Sequence, residues 1–359
     1  MRKIKNIDLI DSDYDSDNSD SLDNNYIRGT INTNKIINTN KIKMIDLCAG
    51  TGAFSYAFNK NDVNFNCSTI FSNDFCENSK LIYDLNHSNK LTLKDIHDIQ
   101  LDEIDNFDIL CAGFPCQSFS IAGKRLGFSD KRSNVFWKIL ELMNHFKPKI
   151  VILENVKNLQ SHDEGKTFET IYNSIINIGY YVKYKILNTN KITNVPQNRE
   201  RIYIICFLDK NLFDKFDFNF ENIECEPIIN FLENNVDDKY YYNNRFSVYD
   251  TIKKDIKKNI NLNVIYQYRR YYVRENKNNV CPTLTANMGL GGHNVPLLKD
   301  NKGIRKLTPR ECFNLQGFPS NYKLPNISDS KLYKLAGNAV SLPVVKIIAN
   351  KILNLLKDH

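Results

Sequence analysis

IKMIDLCAGTGAF (residues 42–54) is a short apolar run that closes on Asp46 and Leu47 and then breaks into Gly50 and Gly52. That pattern predicts a buried strand entering a tight turn. Phe54, Tyr56 and Phe58 follow in a predicted helix. Further outward, FNCSTIFSND (65–74), FDILCAGFPC (107–116) and PKIVILEN (148–155) read as strands. VFWKILELMNHF (135–146) and FETIYNSIINIGY (168–180) have helical spacing, and YYVKYKILN (180–188) and RIYIICFL (201–208) read as two more strands. Strands alternating with helices predict an α/β sheet covered on both faces. LAGNAVSLPVVKIIANKILNLL (335–356) leads into an amphipathic helix with Val344, Ile347, Ile348 and Ile352 on one face and Pro343 in its first turn.

The chain has 359 residues, of which 42% are hydrophobic and 25% charged, the composition of a soluble globular protein of one or two domains. No run of about 18 apolar residues exists, which argues against a membrane span. Nine cysteines form no C-x-x-C pair and six histidines lack zinc-ligand spacing. A disulfide framework and a structural metal site are therefore not expected, and a reducing, intracellular compartment is. Residues 1–40 hold five Lys/Arg and seven Asp, so the net +7 of the whole chain leaves +9 on the remainder. A basic body suits a polyanionic partner but does not prove one.

Residues 1–40 read as an acidic, Asn-rich tail that cannot bury a core, with Ser12, Ser16 and Ser19 open to phosphorylation. Residues 41–208 carry the alternating pattern. Residues 209–325 turn polar and aromatic with little period, the mark of a smaller domain of short strands and loops. Residues 326–359 return to the first domain.

Four places could carry chemistry. Gly50 and Gly52 follow the first strand, and Asp74 closes the second, where it could meet ribose hydroxyls. The third glycine of a dinucleotide fingerprint is absent, so a plain tight turn is the alternative. Cys116 follows Pro115 at the edge of a predicted buried strand, ahead of the Gly-, Ser-, Lys- and Arg-rich loop 120–134. It reads either as an exposed nucleophile under a lid or as a small buried hydrophobe. Glu154 ends the strongest strand at the same sheet edge, as an acid or as a solvated carboxylate. Arg199 and Arg201 flank Glu200, as an anion clamp or as an ion-pair cluster.

Taken in order, DLCAGTGAF, GFPCQSFS, ENV, QNRER, a variable segment, RKLTPRECFNLQGFP and GNAV resemble the DNA (cytosine-5)-methyltransferases over about residues 43–357. The resemblance implies an α/β, Rossmann-like S-adenosyl-L-methionine-dependent methyltransferase domain, a smaller, mostly β and loop target-recognition domain at 209–325, and duplex DNA gripped between them. It makes Cys116 the nucleophile, Glu154 the acid, Arg201 the residue that fixes the base or the carboxylate, and Arg199 its support. It assigns the cofactor to Gly50, Gly52, Phe54, Asp74, Asp95, Ile96, Asn338 and Val340. The DNA contacts fall to Gln117, Ser120, Lys124, Arg125, Arg269, Arg270, Arg274, Thr283 and Leu284. Two positions depart from the family pattern: Cys48 stands where many relatives have Phe, and Asn194 where a Gly is common, an Asn being able to take the left-handed turn. The resemblance also implies a monomer, with a cognate restriction endonuclease as a functional partner. The competing readings are a tRNA cytosine-5 methyltransferase, whose usual Cys-Phe-Thr tripeptide is missing here, and a non-enzymatic DNA-binding relative. A nicotinamide oxidoreductase would share the glycine turn and Asp74 but would need none of PCQ, ENV and QNRER.

Overall fold

The computed structural model describes residues 41–115, 135–257, 259–269, 271–290 and 295–358. The chain begins its fold with β1 (Ile42–Leu47), α1 (Ala53–Asn59), β2 (Cys67–Asp74), α2 (Glu77–Asn86), β3 (Thr92–Leu93) and β4 (Ile109–Gly113). It continues through α3 (Val135–Phe146), β5 (Ile150–Val156), α4 (Lys166–Asn177), β6 (Tyr181–Asn188), α5 (Thr189–Ile192), β7 (Glu200–Phe207) and α6 (Lys210–Lys215). These strands make a seven-stranded sheet in the order β3-β2-β1-β4-β5-β7-β6. β7 is antiparallel to both its neighbours, while β1 to β5 pair in parallel.

Strand alternation divides the sheet's side chains between two cores. Met44, Ile109, Ile150, Ile152 and Ile205 point to one face, against Ala57 and Phe58 of α1 and the C-terminal α10 (Leu342–Lys357). Ile45, Leu110, Val151, Leu153 and Ile204 point to the other, against Phe136, Ile139 and Met143 of α3 and Ile171 and Ile175 of α4. The buried stripe of α10 is Val344, Val345, Ile348, Ala349, Ile352 and Leu353. Ile347, expected on that stripe, is only half-buried, because the packing face is centred one residue later, with Val345, Ala349 and Leu353 on it.

A second, four-stranded antiparallel sheet, ordered β11-β10-β8-β9, follows α7 (Tyr249–Asp255). Its strands are β8 (Tyr266–Arg269), β9 (Tyr272–Glu275), β10 (Leu297–Lys299) and β11 (Ile304–Lys306). It holds a small core of its own: Ile252, Ile256, Val264, Tyr266, Leu297 and Ile304. The chain then rejoins the main core through α8 (Pro309–Asn314), where Thr308 and Glu311 form a capping box, and α9 (Asp329–Asn338). Arg305 is bound there by Glu311 on two nitrogens, each at 2.8 Å, and by Asp300 at 2.8 Å, which makes it a scaffold residue.

α9 passes the 285–286 backbone so closely that only glycine fits at its crossing point. A Cβ on Gly337 would lie 2.2 Å from the Thr285 carbonyl carbon and oxygen and 2.5 Å from the Ala286 nitrogen. These are backbone atoms that cannot rotate away. Gly337→Ala should therefore destabilise the protein by about 3 kcal/mol. The check is the urea midpoint at unchanged m; an unmoved midpoint would show that the two segments part freely.

Candidate active site and nucleic-acid groove

The C-terminal ends of β1, β2, β4 and β5 meet at one edge of the large sheet, where open α/β sheets hold ligands. At the end of β1 the backbone takes positive φ at Cys48 (52°), Gly50 (56°) and Gly52 (72°). Gly52 is sealed from below: a Cβ there would sit 2.3 Å from His87 Nε2 and 2.8 Å from the Tyr83 ring. The loop is also held by Tyr322, whose hydroxyl donates to the Thr51 carbonyl at 2.5 Å. Cys48 is half-buried, and desolvation together with the charges of Asp74, Asp46 and Asp95 raises its thiol pKa.

Beneath the loop, Asp46 is fully buried and accepts from the Ser55 backbone N–H at 3.0 Å and hydroxyl at 2.7 Å. Its Oδ1 has no hydrogen-bond partner, and burial pushes the carboxyl from 3.8 up to about 7. The native state therefore keeps a proton that the unfolded chain has released. This contribution is whole below about pH 4 and is lost as pH rises through 7. Asn in its place keeps an acceptor for Ser55 and cannot ionise. Relative to wild type, Asp46→Asn should gain about 2–3 kcal/mol of stability between pH 5 and pH 8, measured by urea unfolding at each pH. A difference independent of pH would mean that Asp46 titrates normally.

The candidate cofactor residues line the outer part of this edge. Asp74 ends β2 and accepts from Gly50 N–H and Cys76 N–H, each at 2.9 Å, while burial raises its carboxyl pKa. Asp95 is half-exposed; bonds from the His97 backbone (3.0 Å) and ring (2.7 Å) lower its carboxyl pKa. Ile96 is buried beside it. Phe54 is buried in the main core, so only its backbone borders the turn. Asn338 is exposed at the end of α9. Val340 is half-buried, its Cγ2 3.2 Å from where a Gly113 Cβ would stand.

One residue was missed in the sequence. Phe75, directly after Asp74, is 76% exposed at the sheet edge. The signal for it in the sequence is an aromatic directly after the acidic residue that closes a strand.

The catalytic edge begins where β4 ends. Asn155 donates to the Phe114 carbonyl at 3.0 Å and pins the strand end that leads to Pro115. Cys116, Gln117, Ser120, Lys124 and Arg125 lie outside the described residues. Glu154 is buried at the end of β5, with its Oε2 3.7 Å from the position of a Gly113 Cβ. Arg201 Nε lies 3.2 Å from Glu154 Oε1, an ion-pair distance without hydrogen-bond alignment, so Oε1 keeps its hydrogen-bonding capacity. Burial raises the Glu154 pKa, against the opposing pull of Arg201 and then Arg199. Gly113, Glu154, Arg201 and Val340 thus come together.

Arg199 is buried deeper and acts as a tie. Its guanidinium donates to the carbonyls of Leu284 (3.0 Å), Ala339 (2.7 Å) and Gly337 (3.2 Å). Burial lowers its pKa to about 9. Gln197 is a second tie, fully buried: it accepts from Leu284 N–H at 3.2 Å and donates to the Leu315 carbonyl at 2.6 Å. Asn194 has a negative φ, so no left-handed turn is needed there. Its carbonyl instead accepts from Glu226 N–H at 2.8 Å, and its side chain binds Glu226.

An open groove of about 740 Å³ runs between this region and the small sheet, with Asn188, Asn198 and Thr283 on one side and Arg269 and Arg274 on the other. Thr283 donates to the Asn198 carbonyl at 2.6 Å. Leu284 is fully buried and so presents no side-chain surface to a ligand. Arg270 lies outside the described residues.

Comparisons with known proteins agree with this geometry. The family model described as C-5 cytosine-specific DNA methylase matches residues 42–354. The chain is 44% identical to the Type II methyltransferase M.Bsp6I of Bacillus sp. (strain RFL6) over 87% of this chain and 98% of that one. It is 34% identical to the Type II methyltransferase M.HhaI of Haemophilus parahaemolyticus, over 87% and 94%. Among solved structures, the Entamoeba histolytica methyltransferase EhMeth shares the fold at a TM-score of 0.67 and 23% identity, over 88% of this chain and 99% of that one. The S. pombe Dnmt2 methyltransferase does so at a TM-score of 0.65 and 22% identity, over 89% and 99%. With Gly113, Glu154, Arg201 and Val340 gathered at one sheet edge beside a basic groove, the chain belongs to the C-5 cytosine-specific DNA methylases.

Proposed function

We propose that this DNA (cytosine-5)-methyltransferase adds the Cys116 thiolate to C6 of a cytosine swung out of duplex DNA into the edge beside Glu154. The target carbon is out of reach in a stacked duplex, so the base must flip. Addition to C6 makes C5 electron-rich and builds density toward N3. Glu154, protonated, gives N3 a proton or a hydrogen bond, and Arg201 holds the carboxyl in place. S-adenosyl-L-methionine supplies an electrophilic methyl group to C5 when bound. A base then takes the C5 proton, and the Cys116–C6 bond breaks to restore the ring and the thiolate.

The edge has the donor set for an adenosyl group. Asp74 is a carboxylate acceptor for the ribose diol, and Thr51 Oγ1 is buried without a partner. Phe75 offers an exposed ring for the adenine, with Asp95 and Ile96 at its rim. Gly50, Gly52, Asn338 and Val340 form the walls. Residues 209–325 serve as the recognition domain, and a cognate endonuclease is the functional partner. The observation that carries this reading is the buried Glu154, paired with Arg201 and unsatisfied at Oε1, one strand over from the β4 end that leads to Pro115.

The test is transfer of labelled methyl to mixed-sequence duplex DNA and, in parallel, to tRNA. Label at cytosine C5 in DNA supports the reading. Label in tRNA alone would replace it with the RNA enzyme, and none in either, from folded protein, would overturn it.

A further inference from the structure

We infer that Gln267, Arg269 and Arg274 form a preset fork that reads guanine edges in the major groove, so that the methylated sequence contains guanines this fork requires. The inference rests on duplex DNA entering the groove described above. On the β8–β9 hairpin, Gln267 pairs across with Arg274, and Arg269 with Tyr272. The alternate positions Tyr266, Tyr268 and Val273 turn inward to the small core. Strand alternation therefore puts Gln267, Arg269 and Arg274 together on the opposite, groove-lining face.

There the Gln267 amide oxygen accepts from both guanidinium groups, Arg269 Nη2 at 3.0 Å and Arg274 Nη2 at 2.9 Å. Neither arginine forms an ion pair with a carboxylate among the described residues. Glu275, next in the chain, also borders the groove, but its carboxylate is taken up by Lys257 at 2.8 Å. Two like charges are thus held side by side by one neutral acceptor, with most of their donors unspent. Such an arrangement suits a dense array of acceptors. Guanine O6 and N7 provide one, and a fixed guanidinium plane matches them on two bonds at once. A phosphate contact would not require the planes to be set in advance.

The experiment methylates a random-sequence duplex library and reads the modified cytosines by bisulfite sequencing, for wild type and for Arg269→Ala, Arg274→Ala, Arg274→Lys and Gln267→Leu. The expected result is that each arginine variant loses discrimination at one guanine position by about 5- to 150-fold, with preferences elsewhere kept. Arg274→Lys retains the charge and should relax specificity as Arg274→Ala does. In wild type, 7-deazaguanine at the matching position, which keeps O6 but lacks N7, should cost part of that factor, and in that variant nothing. A loss uniform across all sequences, with a salt slope shallower by about one, would overturn the inference in favour of phosphate contacts. Wild type that methylates no duplex sequence would instead overturn the DNA reading on which it rests.

Discussion

Cys116→Ser should leave no measurable methyl transfer, a fall of about 10⁴- to 10⁶-fold, as when a covalent nucleophile is removed. Serine keeps the size and shape of the side chain, but its hydroxyl ionises far above neutral pH and cannot add to C6. The surrounding protein makes this residue hard to replace. The other cysteines at this edge are no substitute: desolvation raises the pKa of both Cys48 and Cys111, and Cys111 is fully buried within β4. The Ser variant should still bind DNA in a gel-shift assay and still fold, because position 116 follows a strand end pinned independently by Asn155. Methyl transfer within tenfold of wild type would remove Cys116 from the mechanism.

The second large effect is at Glu154. Glu154→Gln should cut kcat by about 10²- to 10⁴-fold, the usual contribution of a positioned acid, while DNA affinity changes little. Glutamine can still donate an N–H toward N3 but cannot give up a proton. The pH profile separates this role from a structural one. A carboxyl acting as proton donor works only in its neutral form, and burial at Glu154 favours that form. Wild-type kcat should therefore fall as pH rises through the Glu154 pKa, and the Gln variant should lose that limb. Arg201 is the stronger of the two charges favouring the carboxylate, so Arg201→Ala should move the limb to higher pH. A Gln variant that loses activity and DNA affinity equally, with the limb intact, would make Glu154 a structural residue.

The large sheet was legible because its strands are buried on both faces and read as continuous apolar runs. IVIL and DILCA, each bounded by turn residues, admit few other structures. Strand direction was not legible: RIYIICFL has the same pattern whichever way it runs, and its antiparallel placement between β5 and β6 is decided by the connection through α5. Gly113, Glu154, Arg201 and Val340 fall on one edge, yet individual exposure could not be inferred. Phe54 and Leu284 are apolar and went into the core, so they support the site from behind. Phe75 is equally apolar and stayed outside, 76% exposed just beyond the end of β2. In the segment from 209 to 300, strands of three or four residues are too short to show a period, and only the structure reveals that they share a sheet.

The joint between the small sheet and the catalytic edge has a consequence for how such enzymes diversify. On the recognition side it is made almost wholly of main chain. Arg199 and Gln197 grasp the carbonyl and N–H of Leu284, and residues 196–198 exchange backbone bonds with Cys281. A hinge that grips peptide groups is indifferent to the side chains beyond it. The hairpin proposed to read guanines can therefore change at Gln267, Arg269 and Arg274 one residue at a time, while the same two residues keep it mounted. Change of target and loss of fold are thereby uncoupled, and a new specificity needs no new anchor.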